Sequence, residues 1–174
     1  MIYEPREDSF LLQKYVKKYI KKDDRVLDMG TGSGIQAVAA KQNGADVVAV
    51  DVNPEAVTYV KNLGINALQS DLFSNIKDTF DVIICNPPYL PAAEGEDAES
   101  QQSTTGGRQG YELLVRFLKE AKQHLNSRGI ILMVYSSLSG DIEALAKKEG
   151  YTLEILEEQK VFFEKLRVAK LKHK

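Results

Sequence analysis

The sequence predicts an α/β protein with a single, doubly wound and mostly parallel sheet of seven strands. Short, continuously apolar segments alternate with segments of helical periodicity along most of the chain, which is typical of parallel strands covered on both faces. The C-terminal region instead alternates apolar and polar residues with a period of two. That period predicts an antiparallel pair of strands at the edge of the sheet.

A chain of 174 residues is long enough for one self-sufficient domain, and we expect a single domain throughout. Its first element is a predicted helix within residues 1–22. In this interpretation Asp8 or Ser9 is the N-cap, since both side chains can accept a backbone N–H. One face of the helix is apolar, with Phe10, Leu11, Tyr15, Val16, Tyr19 and Ile20.

Strands and helices alternate after this helix. The predicted parallel strands are residues 25–29, 47–50, 65–68, 80–85 and 129–135. Helices are predicted to begin at Ile35, after a glycine-rich turn, and at Pro54, with Asn53 as N-cap. Two later helices are predicted over residues 111–126 and 140–149. Residues 90–110 follow no periodicity, and a loop of this length is normally functional or disordered. We expect its glycine-rich end to border the substrate site. Its acidic part, from Glu94 to Glu99, fits a solvated linker, and the alternative is that it faces basic residues of a protein substrate.

Composition narrows the class of protein. The formal net charge of −2 gives no overall electrostatic footprint of a nucleic-acid binder. The single cysteine, Cys85, excludes an intrachain disulfide and fits a reducing cytoplasm. No apolar run reaches the length that a bilayer crossing needs, and the N-terminus has no apolar signal core. We therefore expect a soluble cytoplasmic protein without a metal site.

Three aspartates close three successive predicted strands, namely Asp28, Asp51 and Asp71. Asp28 precedes Gly-x-Gly-x-Gly rather than the Gly-x-Gly-x-x-Gly of dinucleotide sites, and its carboxylate would repel a pyrophosphate. Asp51 can accept from the two hydroxyls of a ribose. Asp71, followed by the apolar Leu72, suits the amino group and face of a purine. Together they describe a ligand with an amine, a ribose and an adenine but no phosphate.

The fourth strand stops in Asn86-Pro87-Pro88-Tyr89. Two prolines cannot continue a hydrogen-bonded ladder, so rigid acceptors and an aromatic face are expected at the end of the strand. Such a group suits a planar substrate that carries an NH2, such as a carboxamide or an amino-purine. His124 and His173 are expected at the surface, and Cys85 is expected to be a small core residue.

These stretches resemble a known family. Residues 28–34 look like the S-adenosylmethionine motif of class I methyltransferases, and residues 86–89 look like their amino-methylating motif. Residues 3–12 and 106–108 resemble the HemK-like release-factor glutamine methyltransferases, in their compact archaeal and eukaryotic branch. The resemblance implies a Rossmann-like methyltransferase fold, in which residues 1–22 cap the cofactor site and residues 90–110 lie on the substrate side.

The resemblance also implies residue roles. Asp28 and Gly30 would hold the methionine end of S-adenosylmethionine, Asp51 its ribose, and Asp71 and Leu72 its adenine. The full set assigned to the cofactor is Pro5, Asp8, Ser9, Asp28, Gly30, Gly32, Asp51, Asp71, Leu72 and Asn86. The set assigned to catalysis is Asn86, Pro87, Pro88 and Tyr89.

The implied substrate is the glutamine of the Gly-Gly-Gln motif in a class-1 peptide chain release factor. The implied partner is a small zinc-containing activator, for which the strand over residues 65–68 is the candidate edge. A nucleic-acid methyltransferase acting on adenine N6 or guanine N2 is an alternative, but such enzymes usually need a recognition segment. A protein lysine methyltransferase is a second alternative, and a non-catalytic S-adenosylmethionine-binding partner protein is a third.

Overall fold

The computed structural model describes residue 2, residues 4–87 and residues 112–174. Within these residues seven strands form one sheet, in the order β3-β2-β1-β4-β5-β7-β6. The strands are β1 (Arg25–Met29), β2 (Asp46–Asp51), β3 (Asn66–Gln69), β4 (Phe80–Cys85), β5 (Leu125–Ser136), β6 (Tyr151–Val161) and β7 (Glu164–His173). Strands β1 to β5 run parallel, whereas β7 is antiparallel to both β5 and β6. The predicted mostly parallel sheet with an antiparallel C-terminal pair is confirmed.

Five helices cover the described part of this sheet. They are α1 (Glu7–Tyr19), α2 (Ile35–Gln42), α3 (Pro54–Asn62), α4 (Glu112–Ala121) and α5 (Ile142–Lys148). Side chains alternate along each central strand, so one apolar cluster forms against α1, α2 and α3 and a second against α4 and α5. Burial on both faces explains why the strands are continuously apolar in the sequence.

The helix boundaries differ from the predicted ones at two places. Arg6, not Asp8 or Ser9, is the N-cap of α1, and its side chain makes no capping hydrogen bond. The predicted capping role is wrong because Asp8 and Ser9 lie in the first turn of α1 and point inward, each only 2% exposed. Helix α4 ends at Ala121 rather than residue 126, since Leu125 already pairs with Phe80 at the start of β5.

Other local predictions are confirmed, with one exception. Asn53 caps α3 by accepting the Glu55 N–H at 2.9 Å, and Pro54 is the first helical residue. Cys85 is buried, as expected of a core residue. His173 is exposed, as expected. The fully exposed position expected of His124 is wrong, because this residue is half-buried in a single turn of 3-10 helix after α4 and its ring stacks on Phe73 with centroids 4.6 Å apart. Among the helices of the described residues, none is both long and apolar enough to cross a bilayer.

Candidate active site

The strand register brings the two predicted motifs to the same level at the carboxyl edge of the sheet. Met29, the last residue of β1, is aligned with Cys85 of β4 on one side and with Val50 of β2 on the other. The next residues, Gly30 and Asn86, therefore leave the sheet side by side. Ligands of doubly wound sheets bind at this edge, where the connections diverge to opposite faces.

A cavity of about 380 Å³ opens at this edge. Its lining includes most of the predicted site residues, namely Asp8, Ser9, Asp28, Gly30, Gly32, Asp51, Asp71, Leu72, Asn86 and Pro87. Pro5 lies outside the lining. Pro88, Tyr89, the acidic stretch from Glu94 to Glu99 and the rest of the 90–110 loop fall outside the described residues.

The turn after β1 depends on glycine at two positions. Gly30 has φ +70°, and a Cβ built on it would meet no other atom within 4 Å, so the backbone there faces open space. Gly34 has φ +78°, and its Cβ would lie 3.0 Å from Val60 Cγ2 of α3. Both residues need the left-handed conformation, which costs little only for glycine. The turn thus exposes backbone to the cavity at Gly30 and packs closely on α3 at Gly34.

Asp28 lies beneath this turn and is only 2% exposed. Its Oδ2 accepts from Thr31 Oγ1 at 2.7 Å and from the Ala37 backbone N–H at 3.2 Å. Burial raises the pKa of Asp28 to about 6, although these two hydrogen bonds act in the opposite direction. A cationic amino group bound in the cavity would favour the ionised carboxylate.

Asp51, at the end of β2, connects the turn after β1 to the start of α3 through hydrogen bonds. Its Oδ2 accepts from the Gly32 backbone N–H at 2.8 Å, and its Oδ1 accepts from the Asn53 backbone N–H at 2.9 Å. A carboxylate has about four acceptor positions, so two remain for hydroxyl groups of a ligand. The carboxylate is therefore fixed in place and still able to accept.

Asp71 and Leu72 form the far end of the cavity. The Asp71 side chain is 60% exposed, and its Oδ2 lies 3.2 Å from Arg116 Nη2 of α4. Leu72 is buried and has φ +48°, a conformation that a leucine rarely adopts. The Ser70 hydroxyl holds this bend by donating to the Leu72 carbonyl at 2.7 Å.

Asn86, directly after β4, is held by the first turn of α1. Its Nδ2 donates to Asp8 Oδ2 at 3.1 Å and to Ser9 Oγ at 3.3 Å. Because an ionised carboxylate only accepts, the amide nitrogen must face Asp8, and this fixes which side of the amide is oxygen. Asn86 Oδ1 is buried and has no hydrogen-bond partner among the described residues. Asn86 Oδ1 is thus an oriented acceptor without a donor. Two other residues of the cavity lining, Gln36 and Glu164, also carry a buried oxygen that has no partner among the described residues.

Gln36, in the first turn of α2, also belongs to the site, although it was not among the residues predicted from the sequence. It is 3% exposed and lines the cavity, and its Nε2 donates to the Ser9 carbonyl at 2.8 Å. This bond ties α1 to α2 and so supports the position of Asp8 and Ser9. A glutamine within the otherwise apolar run of residues 35–40 is the signal that could have pointed to it.

The turn between β6 and β7 is a second part of the cavity that was not predicted from the sequence. Val161, Phe162 and Glu164 line the cavity on the side of β4 opposite β1. The predicted antiparallel pair gave no indication of this position, because only the order β5-β7-β6 places the turn at the carboxyl edge.

These residues fit S-adenosylmethionine. The open space at Gly30 admits a close-lying ligand, the buried carboxylate of Asp28 suits an amino group, and the fixed carboxylate of Asp51 suits a ribose. The three strand-end carboxylates disfavour a phosphate-bearing nucleotide. The cavity volume lies in the usual range for sites of small organic ligands. Fold and site together define a class I S-adenosylmethionine-dependent methyltransferase.

The chain belongs to the Methyltransferase small domain family, whose model matches residues 7–163. A Methanocaldococcus jannaschii protein, named provisionally as a protein N5-glutamine methyltransferase, is 40% identical over 178 residues, which span 96% of this chain and 89% of that relative. A release factor glutamine methyltransferase of Rhodopirellula baltica is 35% identical over 150 residues, which span 75% of this chain and 51% of the relative.

A solved structure agrees with these relatives. A chain of the E. cuniculi Mtq2–Trm112 complex, described as responsible for methylation of the translation termination factor eRF1, has a TM-score of 0.82 and 26% identity over 99% of both chains. The resemblance drawn from the sequence motifs is thereby confirmed. The protein is an S-adenosylmethionine-dependent methyltransferase.

Proposed function

We propose that this chain methylates the side-chain amide nitrogen of the glutamine in the Gly-Gly-Gln motif of a class-1 peptide chain release factor. The observation that carries the proposal is Asn86 Oδ1, which is buried, oriented by Asp8 and Ser9, and unpaired among the described residues. A carboxamide N–H is a donor that suits this acceptor. The names of two relatives and of the similar complex support the same substrate class.

The bound cofactor supplies an electrophilic methyl group on its sulfonium. The chain's own contribution is to position the amide nitrogen of the substrate glutamine and to increase the electron density on that nitrogen. Asn86 Oδ1 accepts one N–H of the glutamine amide, and the Pro87 carbonyl accepts the second. Both contacts strengthen as positive charge develops on nitrogen in the transition state, so they stabilise that state more than the bound substrate.

The proton balance needs no tuned general base. As the nitrogen–methyl bond forms, the methyl–sulfur electron pair stays on sulfur, and the nitrogen releases one proton to solvent after transfer. Asp8 acts through Asn86, because its carboxylate fixes the direction of the asparagine amide. Tyr89 remains predicted to pack on the amide plane, and residues 1–22 remain predicted to cap the cofactor.

A small partner protein is part of the proposal, and the resemblance implies that it contains zinc. Among the described strands, β3 has a neighbour on one side only, so its outer edge presents unpaired backbone groups. Val52, whose carbonyl accepts from Gln69 of β3, is 47% exposed. Tyr59 and Leu63, on and after α3, the helix that contacts β3, are 44% and 43% exposed. We place the partner at this edge and the reaction in the cytoplasm.

A labelled-methyl assay tests the function. The acceptors are a class-1 release factor, its variant without the Gly-Gly-Gln glutamine, and oligonucleotides, each with and without the activator protein. We expect label on the release factor and none on its glutamine variant. Label on the oligonucleotide, or label that survives loss of the glutamine, would overturn the proposed substrate.

A further inference from the structure

The turn between β6 and β7 displays two aromatic rings to solvent. It consists of Phe162 and Phe163 between the paired residues Val161 and Glu164, and we call these four residues the hairpin tip. Phe162 is 85% exposed and Phe163 is 98% exposed. Two-residue hairpin turns are usually made of Asn-Gly or similar pairs, because they require backbone conformations that bulky residues avoid.

Phe162 adopts such a conformation, with φ +48°. A bulky side chain in the left-handed region destabilises the fold, and these two rings, being exposed, bury too little apolar surface to compensate. The stability of the isolated fold therefore does not explain Phe-Phe at this turn. Residues kept in strained conformations at an exposed position beside a cavity point to a function there.

The sheet order places the hairpin tip on the acceptor side of the cavity. Because β7 is antiparallel to β5, its first residues lie beside the carboxyl end of β5, and Leu166 is aligned with Ser136. Six of the predicted cofactor residues lie at or after the ends of β1, β2 and β3, on one side of Asn86, namely Asp28, Gly30, Gly32, Asp51, Asp71 and Leu72. The hairpin tip borders the same cavity from the opposite side.

Glu164 adds a recognition group to the tip. Its Oε2 is buried and has no hydrogen-bond partner among the described residues. A buried carboxylate oxygen without a donor is costly, so the site is complete only when a donor is present. The nearby cations Lys165 and Arg167 do not serve Glu164, since both pair with Glu158, at 2.9 Å and 2.7 Å.

We infer that the hairpin tip docks the polypeptide segment that carries the acceptor glutamine, an inference that rests on the proposed function. Phe162 and Phe163 pack on the segment next to the glutamine, and Glu164 Oε2 accepts an N–H from it. A polypeptide supplies backbone and side-chain N–H donors for this acceptor, whereas a phosphate group supplies none, so we assign the tip to a polypeptide.

The double variant Phe162→Gly/Phe163→Asn tests the aromatic pair, because it puts glycine at the position with positive φ and removes both rings. We expect KM for the release factor to rise about tenfold or more, as on loss of an aromatic anchor, while kcat and the cofactor Kd stay unchanged. The melting temperature should equal or exceed that of the wild type, because the turn strain is removed. The matched control is Ile155→Ser, which removes a 45% exposed apolar side chain from the same hairpin away from the cavity.

Glu164→Ala and Glu164→Gln test the carboxylate. The alanine variant should raise KM by a similar factor, whereas the glutamine variant, which can still accept an N–H, should recover most of the loss. Glu154→Gln, elsewhere on β6, is the control for an altered charge on the hairpin. If Glu164 were only structural, Glu164→Ala would instead lower the melting temperature and leave the KM unchanged.

The outcomes separate this inference from the proposed function. If the wild type labels the release factor glutamine and the tip variants keep the wild-type KM, the inference fails alone. If the wild type labels no release factor, both fail. If the wild type labels an oligonucleotide and the tip variants raise the KM for that oligonucleotide, the tip docks nucleic acid. The inference that it docks a polypeptide would then be wrong.

Discussion

The Asn86 side chain donates from Nδ2 to Asp8 Oδ2 over 3.1 Å, although 78 residues separate the two along the chain. The bond joins the end of β4 to the first turn of α1. Ser9 Oγ reinforces it from the same turn, and Gln36 ties that turn to α2. The acceptor Asn86 Oδ1 is thus positioned by three elements at once, as a preorganised site requires.

Removal of either partner of this pair should reduce turnover. Asn86→Ala should lower kcat on the order of a hundredfold or more, the size typical of lost transition-state hydrogen bonds, while calorimetry still detects cofactor binding. Asp8→Ala should also lower kcat, because the asparagine amide loses its orientation. If Asp8 acts through Asn86, the double variant is no slower than Asn86→Ala alone.

The control for this cycle is Asp8→Asn, whose amide oxygen can still accept from Asn86 and should restore part of the activity. If the loss of kcat in the double variant equals the product of the two single losses, the coupling is contradicted. Asp8 would then contribute to turnover independently of Asn86.

The pKa of Asp28 gives a pH dependence with a definite sign. The pKa is raised from 3.8 to about 6 by burial, so the folded state binds a proton more tightly than the unfolded chain does. This group therefore stabilises the fold below about pH 4, and its contribution is lost as the pH rises through about 6. A shift of this size corresponds to about 3 kcal/mol as an order of magnitude.

Asp28→Asn isolates this contribution. The asparagine Oδ1 can accept from Thr31 and Ala37, so the fold should persist, and at neutral pH the free variant should be more stable than the wild type. Thermal unfolding between about pH 4 and pH 7 measures the stability difference, which should grow in favour of the variant up to about pH 6 and then level off. A difference that does not change with pH would contradict the raised pKa.

Much of this site could be predicted from local sequence, because parallel strands place their carboxyl ends at one edge. That rule was enough to group Asp28, Asp51 and Asn86. It could not find the role of Asp8 and Ser9, since a helix N-cap and a buried pair facing a distant strand look alike locally. It could not find Glu164 either, because that position depends on β7 lying between β5 and β6.

Gly30 and Gly34 form a matched pair for the turn after β1. Alanine at either position should cost about 1–2 kcal/mol through the left-handed backbone. Gly34→Ala should cost more, since its Cβ would lie 3.0 Å from Val60 Cγ2, whereas the Cβ at Gly30 would project into open space. Denaturant unfolding measures both costs.

Cofactor affinity should show the reverse order. Gly30→Ala should weaken cofactor binding about tenfold or more, because the methyl group enters the space where the ligand approaches the backbone, and calorimetry on the folded variant measures this. Gly34→Ala should bind nearly as the wild type once folded. Equal losses of affinity in both variants would indicate a general distortion of the turn rather than direct contact at Gly30.

The outer edge of β3 should be the attachment point of the proposed partner. Tyr59→Ser/Leu63→Ser removes two partly exposed apolar side chains on and just after α3, the helix that contacts β3, and the melting temperature should change little. On co-expression with the small zinc-containing activator, the wild type should elute from size exclusion as a heterodimer and the double variant as separate chains. Ile155→Ser, 45% exposed on β6 at the opposite edge of the sheet, should still elute as the heterodimer. If the double variant still binds the partner and Ile155→Ser does not, the interface lies at the β6 edge. The β6–β7 hairpin would then contact both the partner and the substrate.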